Sequence, residues 1–110
     1  MTDQSTSGQP GGCLVSDRLQ RFLKALASEN RQQTMLLFAG GAELSVGEVA
    51  ARLGTGQSTA SQQLALLRDG GLLSARRDGK TVWYRADPGA IDSMLGELRD
   101  YLRSCCPPGS

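Results

Sequence analysis

The sequence predicts a mainly α domain carrying one β-hairpin, and three observations lead there. Ala60, Leu64 and Leu67 fall at i, i+4 and i+7 in the stretch from Gly56 to Leu72, the apolar stripe of a short helix. A second short helix precedes it across the tight turn Gly54-Thr55-Gly56, and two helices joined in this way form a helix-turn-helix. Directly afterwards the apolar period changes to two around Asp78-Gly79, a dipeptide favoured in primed hairpin turns. The expected architecture is therefore a winged helix-turn-helix of about five helices plus a two-stranded wing, spanning residues 14–104.

The elements follow in order. Residues 1–13 are polar, contain Gly and Pro and lack apolar periodicity, as does the end of the chain, so 1–13 and 105–110 are expected as flexible tails. Ser16 suits an N-cap, and Leu19, Phe22, Leu23 and Leu26 carry a first helix over Asp17 to Ala27. Ser28 suits a second cap, with Glu29 well placed in the first turn of a helix reaching Phe38. That helix would bury Met35, Leu36 and Phe38 and stop at Gly40-Gly41.

Ser45-Val46-Gly47-Glu48 matches a capping box and opens the third helix, Val46 to Leu53, which would bury Val49, Ala50 and Leu53. Gly56 caps the fourth helix, and Gly70-Gly71 supply the left-handed residue that ends it. For the hairpin, a two-residue Asp78-Gly79 turn pairs Arg77 with Lys80, Ala75 with Val82 and Leu73 with Tyr84. The opposite face then carries Ser74, Arg76, Thr81, Trp83 and Arg85. Trp83 is open to two environments there, DNA or the last helix. That last helix runs from about Ala90 to Arg103, with Ile91, Met94, Leu95, Leu98 and Leu102 in one stripe.

Charge locates the function. The net charge is only +1, so nucleic-acid binding must come from local clustering. No acidic residue occurs between Val49 and Arg68, whereas Arg68 to Arg85 holds five basic and two acidic residues. A helix with Ser, Thr and Gln on its outer side and no negative charge suits a DNA major groove, and a basic hairpin beside it suits phosphates. An ordinary surface helix with a solvated hairpin is the bland alternative, and their adjacency favours the winged reading. No paired catalytic carboxylates, nucleophile with base, or phosphate loop is evident, so an enzyme is not expected. No apolar run reaches membrane-spanning length and no leader is visible, which points to a soluble, cytoplasmic protein with no membrane contact.

Sequence matches now attach to these elements. LKALASENRQQTMLLF resembles the first two helices of the ArsR/SmtB family of regulators. QSTASQQLALLRDGGLL resembles their recognition helix and RRDGKTVWY their wing, so that the resemblance covers roughly Arg18 to Leu102. It implies a homodimer paired through the first and last helices, bound to a double-stranded DNA operator, usually as a repressor released by a metal, metalloid or oxidant. Such a pairing would set two recognition helices about 34 Å apart, one DNA turn. The DNA-contacting positions it implies are Gln57, Ser58, Thr59, Ser61, Gln62, Gln63, Arg76, Arg77 and Lys80, with Ser61 and Gln62 nearest base edges and Arg76, Arg77 and Lys80 on the backbone.

The sensing residues depart from the family pattern. Where many members carry a Cys-x-Cys pair at the start of the third helix, this chain has Ser45 and Gly47. Other members place Asp and His between the last helices. This chain has no His, and Asp87, Asp92, Glu97 and Asp100 alone are poor soft-metal ligands, best read as solvated charge. Sulfur remains: Cys13 just before the first helix, Cys105 and Cys106 just after the last. Three thiolates suit As(III) or Sb(III), and also Hg(II) or Cu(I), with Ni(II) a weaker fit. A disulfide between Cys13 and one of the pair is the redox version. Incidental terminal thiols are the competing expectation. A chain without its own effector site would be driven by a partner protein, or would serve as a protein-interaction module, against which the basic hairpin and acid-free helix argue.

Overall fold

Hydroxyl caps set the first two helices. Ser16 accepts from the Leu19 amide at 3.1 Å and opens α1 (Asp17–Leu26), which buries Leu19, Phe22 and Ala25. Ser28 does the same for Arg31 at 3.4 Å and opens α2 (Glu29–Leu36). The computed structural model describes residues 15–109, so the expected tail at 1–13, and Cys13 with it, lies outside the described residues.

The second helix is shorter than the apolar pattern suggested and presents a different face. Thr34 is its fully buried residue, with the hydroxyl donating to the Asn30 carbonyl at 2.8 Å. Leu36 follows two residues later, about 200° around a helix, and is 67% exposed rather than in the core. Phe38 is buried as expected, but from beyond the helix end, where a 3₁₀ turn (Ala39–Gly41) containing two left-handed glycines turns the chain.

The capping box forms in full. Ser45 Oγ accepts from the Glu48 amide at 3.2 Å, and Glu48 Oε1 accepts from the Ser45 amide at 2.9 Å, opening α3 (Val46–Leu53). Val49 and Ala50 are buried, and Gly54 leaves the helix in the left-handed conformation. After Gly56, α4 (Gln57–Asp69) buries Ala60, Leu64 and Leu67 completely. It ends in a Schellman motif: the Leu72 amide reaches the Leu67 carbonyl at 2.9 Å and the Gly71 amide that of Arg68 at 3.0 Å, with Gly71 at φ +82°.

The hairpin strands are β2 (Leu73–Asp78) and β3 (Thr81–Ala86), joined through Gly79-Lys80 instead of Asp78-Gly79. Gly79 takes the left-handed φ of +64° at the first turn position. The register is therefore two residues away from the expected one: Arg77 faces Val82, Ala75 faces Tyr84 and Leu73 faces Ala86. A shift of two leaves every side chain on its anticipated face. The register is also held from the other side. A short strand the sequence pattern did not reveal, β1 (Leu44–Ser45), pairs antiparallel with β3, Leu44 opposite Tyr84 and Ser45 opposite Trp83. The sheet order is β1-β3-β2.

The last helix, α5 (Pro88–Cys105), starts earlier and ends later than expected. Asp87 caps it by accepting from the Ala90 amide at 3.1 Å, and Pro88 occupies the first turn, where its missing N–H costs nothing. Cys105 lies inside the helix and Cys106 is its C-cap. The core gathers Leu19, Phe22, Val49, Leu64, Leu67, Tyr84 and Met94, so α4 sits at the centre with α1, α2, α3 and the sheet around it. No helix among the described residues is long and apolar enough to cross a membrane.

Candidate nucleic-acid interface

Burying Ala60, Leu64 and Leu67 leaves the opposite side of α4 in solvent. Gln57, Ser58, Thr59, Ser61 and Gln62 are exposed there, while Gln63 is half-buried. The N-cap Gly56 offers no side chain, and the first turn holds no acidic residue, so the first amides of α4 are open to an anion. Gln57, Ser58 and Ser61 line a groove of about 550 Å³ whose other walls are Ser45, Val46 and Gly47 of β1 and α3 and Lys80, Thr81 and Val82 of the wing. The groove thus joins two helix N-termini and a wing cation on one side of the molecule. Such a surface matches a phosphate backbone flanking a base-reading helix.

The candidate DNA-contacting residues separate into three environments. Gln57, Ser58, Ser61 and Lys80 share the groove. Thr59 and Gln63 line a different hollow with Asn30, Gln33 and Thr34 of α2 and with Leu53 and Thr55 of the turn. Within that hollow the Gln63 carbonyl oxygen accepts from Arg31 Nη1 at 3.2 Å. Arg76 is held by Glu43 through a two-pronged ion pair, Nε and Nη2 donating at 3.0 and 2.9 Å, with Asp78 at 3.9 Å. That pairing holds the Glu43 carboxyl below its ordinary range and raises the Arg76 guanidinium. Among the described residues, Arg77, Lys80 and Arg85 make no ion pair, and of these wing cations Lys80 lines the groove. Trp83 is half-buried on the outer face of the sheet, where it shares a hollow with Glu43, Ser74, Arg76 and Arg85.

A family model described as a helix-turn-helix domain matches residues 20–74, which run from α1 through the start of the wing. The transcriptional activator HlyU of Vibrio cholerae is 41% identical over 74 residues, 67% of this chain and 68% of that protein. The biofilm growth-associated repressor of Agrobacterium fabrum is 44% identical over 86 residues, 78% of this chain and 71% of that one. A solved homodimeric winged helix-turn-helix DNA-binding domain from Mycobacterium bovis, a possible ArsR-family regulator, superposes with a TM-score of 0.63 at 33% identity, covering 78% of this chain and 81% of that one. The chain belongs to the ArsR/SmtB family of winged helix-turn-helix transcriptional regulators.

In ArsR/SmtB terms α3 and α4 are the helix-turn-helix, α4 the recognition helix and β2–β3 the wing. Of the two positions where other members were expected to carry thiolates, Ser45 has structural work here, its hydroxyl closing the capping box. Two of the four acidic residues considered are likewise occupied, Asp87 as the helix cap and Glu97 as acceptor for the Ser16 hydroxyl, which ties α5 to the start of α1. Among the described residues no group of three or more His, Cys, Asp or Glu could hold a metal ion. The Cys105 and Cys106 sulfurs lie 2.7 Å apart and exposed at the end of α5. Sequence reasoning missed Glu43 and Arg31. Arg31 carried one signal, since a cation in the first turn of α2 opposes that helix's dipole.

Proposed function

We propose that this regulator binds duplex DNA as a homodimer paired through α1 and α5, with one recognition helix of each subunit in successive major grooves. The observation that carries this reading is the groove where Gln57, Ser58 and Ser61 meet Lys80, set against an apolar face left open elsewhere. On that face Leu95 and Leu102 are each 49% exposed and line a hollow with Leu98 and Cys106, and Leu23 of α1 is 37% exposed. The homodimeric Mycobacterium bovis relative supports a second copy as the occupant. Ser61 and Gln62 approach base edges, Gln57, Ser58 and Thr59 lie beside them, and Arg77 and Lys80 hold the backbone. Arg76 backs the wing through Glu43. The bound dimer represses by covering promoter DNA, and the same surface activates where the operator lies elsewhere.

Arg77→Ala takes one phosphate-binding cation from each subunit. Its expected result is weaker binding to every duplex and a salt dependence shallower by about one unit for each phosphate no longer neutralised. Fluorescence anisotropy across a salt series reads both. Binding indistinguishable from wild type at all salt concentrations would refute the wing assignment.

The regulatory input is proposed at the vicinal thiols. Cys105 and Cys106 end the helix that pairs the subunits, so a ligand held there acts on subunit spacing. Arsenous acid condenses with two thiols, releasing one water for each As–S bond, and a third sulfur from Cys13 would complete a trigonal site. Titration of arsenite, Sb(III), Hg(II), Cu(I), Ni(II) and a mild oxidant against the protein–DNA complex should release wild type and spare Cys105→Ser/Cys106→Ser. Equal response of both proteins would make the thiols incidental, and no response in either would move the input to a docked partner protein.

A further inference from the structure

Arg31 reaches away from its own helix. Its guanidinium donates to the Ala25 carbonyl from Nε at 2.7 Å and to the Lys24 carbonyl from Nη2 at 3.0 Å. Both carbonyls belong to the last turn of α1, where a positive charge is favoured, and the Lys24 carbonyl also accepts from the Ala27 amide at 3.2 Å. Gln32 adds a third such bond, its amide donating to the Leu26 carbonyl at 2.8 Å. The remaining arm of Arg31 donates to Gln63 Oε1 on α4 at 3.2 Å. One planar side chain therefore joins the end of α1 to the middle of the recognition helix. The Ser28 cap fixes the Arg31 backbone at its base.

A second junction lies about two turns further on, at the C-cap of α4. A Cβ placed on Gly70 would stand 2.8 Å from Ala25 Cβ and 2.9 Å from the Arg21 carbonyl oxygen, so α4 touches α1 there at backbone distance. Ala25 takes part in both junctions, by its methyl at Gly70 and by its carbonyl at Arg31. The two contacts hold the middle and the C-terminal end of α4 against the last turns of α1.

We infer that Arg31 is a positioning residue that locks α4 to the end of α1, so that a shift of the subunits along α1 and α5 carries the recognition helices with it undamped. Gln63 is then a strut of the recognition helix rather than a base reader. This inference rests on the DNA reading above.

The test uses Arg31→Met, Arg31→Lys, Gln63→Met and the double variant Arg31→Met/Gln63→Met in the full chain. Duplexes enriched from a random pool by wild type are compared with scrambled duplexes of equal composition, alongside amide hydrogen exchange across α4 and thermal unfolding. Arg31→Met should keep the fold, lose about tenfold in affinity for the enriched duplex and leave the scrambled duplex and the salt slope unchanged. The α4 amides around Ser61 to Leu64 should exchange faster while those of α3 do not. Lysine can cap α1 yet cannot also reach Gln63, so Arg31→Lys should behave like Arg31→Met. Gln63→Met should show the same loss, and the double variant no more than either single change.

Full recovery by Arg31→Lys would reduce Arg31 to a cap of α1 and overturn the inference. So would additive losses, which would make Gln63 a base reader. Equal loss on both duplexes with a shallower salt slope would make Arg31 a phosphate ligand. If wild type binds neither duplex, the DNA reading fails by itself, and the exchange rates in α4 still decide whether the lock exists.

Discussion

Replacing Leu95 and Leu102 together by Glu should leave a folded monomer whose operator affinity is lower by about 10²- to 10⁴-fold, the advantage that two tethered DNA-binding units hold over independent ones. Each of these leucines keeps half its surface in solvent within one subunit, so the fold itself loses little when they become polar. In a two-fold pairing each change occurs twice, and four carboxylates would meet in an apolar seam. Sedimentation equilibrium reports the monomer, circular dichroism the retained helices, and anisotropy the reduced affinity. The salt dependence should fall to about half, since each molecule now neutralises half the phosphates. A variant that stays dimeric, or a monomer that binds the operator as tightly as wild type, would remove α5 from the dimer interface.

Leu64→Ala is the second large effect. Leu64 is fully buried at the centre of α4, where helices α1 to α3 and the sheet converge. Truncation leaves a cavity that this crowded position cannot close, at a cost of about 2–5 kcal/mol. In a domain of this size each kcal/mol lowers Tm by roughly 4–8 °C, and the comparison is made at fixed protein concentration because a dimer's Tm depends on it. Leu66→Ala, two residues away on the same helix at 46% exposure, should move stability by only about 0.5 kcal/mol. Similar losses from both would mean that α4 is rotated from the orientation described.

That contrast rests on periodicity, and periodicity is what made the fold readable. The stripe Ala60, Leu64 and Leu67, the Ser45 capping box and the switch to a two-residue period are all local signals, and each element stands where it pointed. The misses come from longer range. β1 is two residues long and is a strand only because β3 lies beside it. The Asp78-Gly79 preference lost to a register in which Tyr84 must face both Leu44 and Ala75. Leu36 was placed inside because it is apolar, whereas the helical phase set by Thr34 turns it outward. The Asp87-Pro88 start of α5 was legible and overlooked.

The site divides in the same way. Its outer residues on α4 followed from the buried stripe, because whatever is not inside a helix of that length is outside. The two arginine pairings did not follow. Arg76 meets Glu43 across 33 residues, and Arg31 meets Gln63 across 32. Only the folded chain shows that one wing arginine is held within the protein while Arg77 stands open, or that one glutamine of the recognition helix braces it from behind.

The central claim is that two copies of α4 reach the same face of one duplex a single helical turn apart. Footprinting of the wild-type dimer on its enriched duplex tests it most directly, using methylation protection for the major groove and hydroxyl radicals for the backbone. The expected result is two major-groove patches about 10 base pairs apart, with backbone protection between and beyond them where Arg77 and Lys80 reach. A single protected patch, or two patches at another spacing, would contradict a dimer paired through α1 and α5.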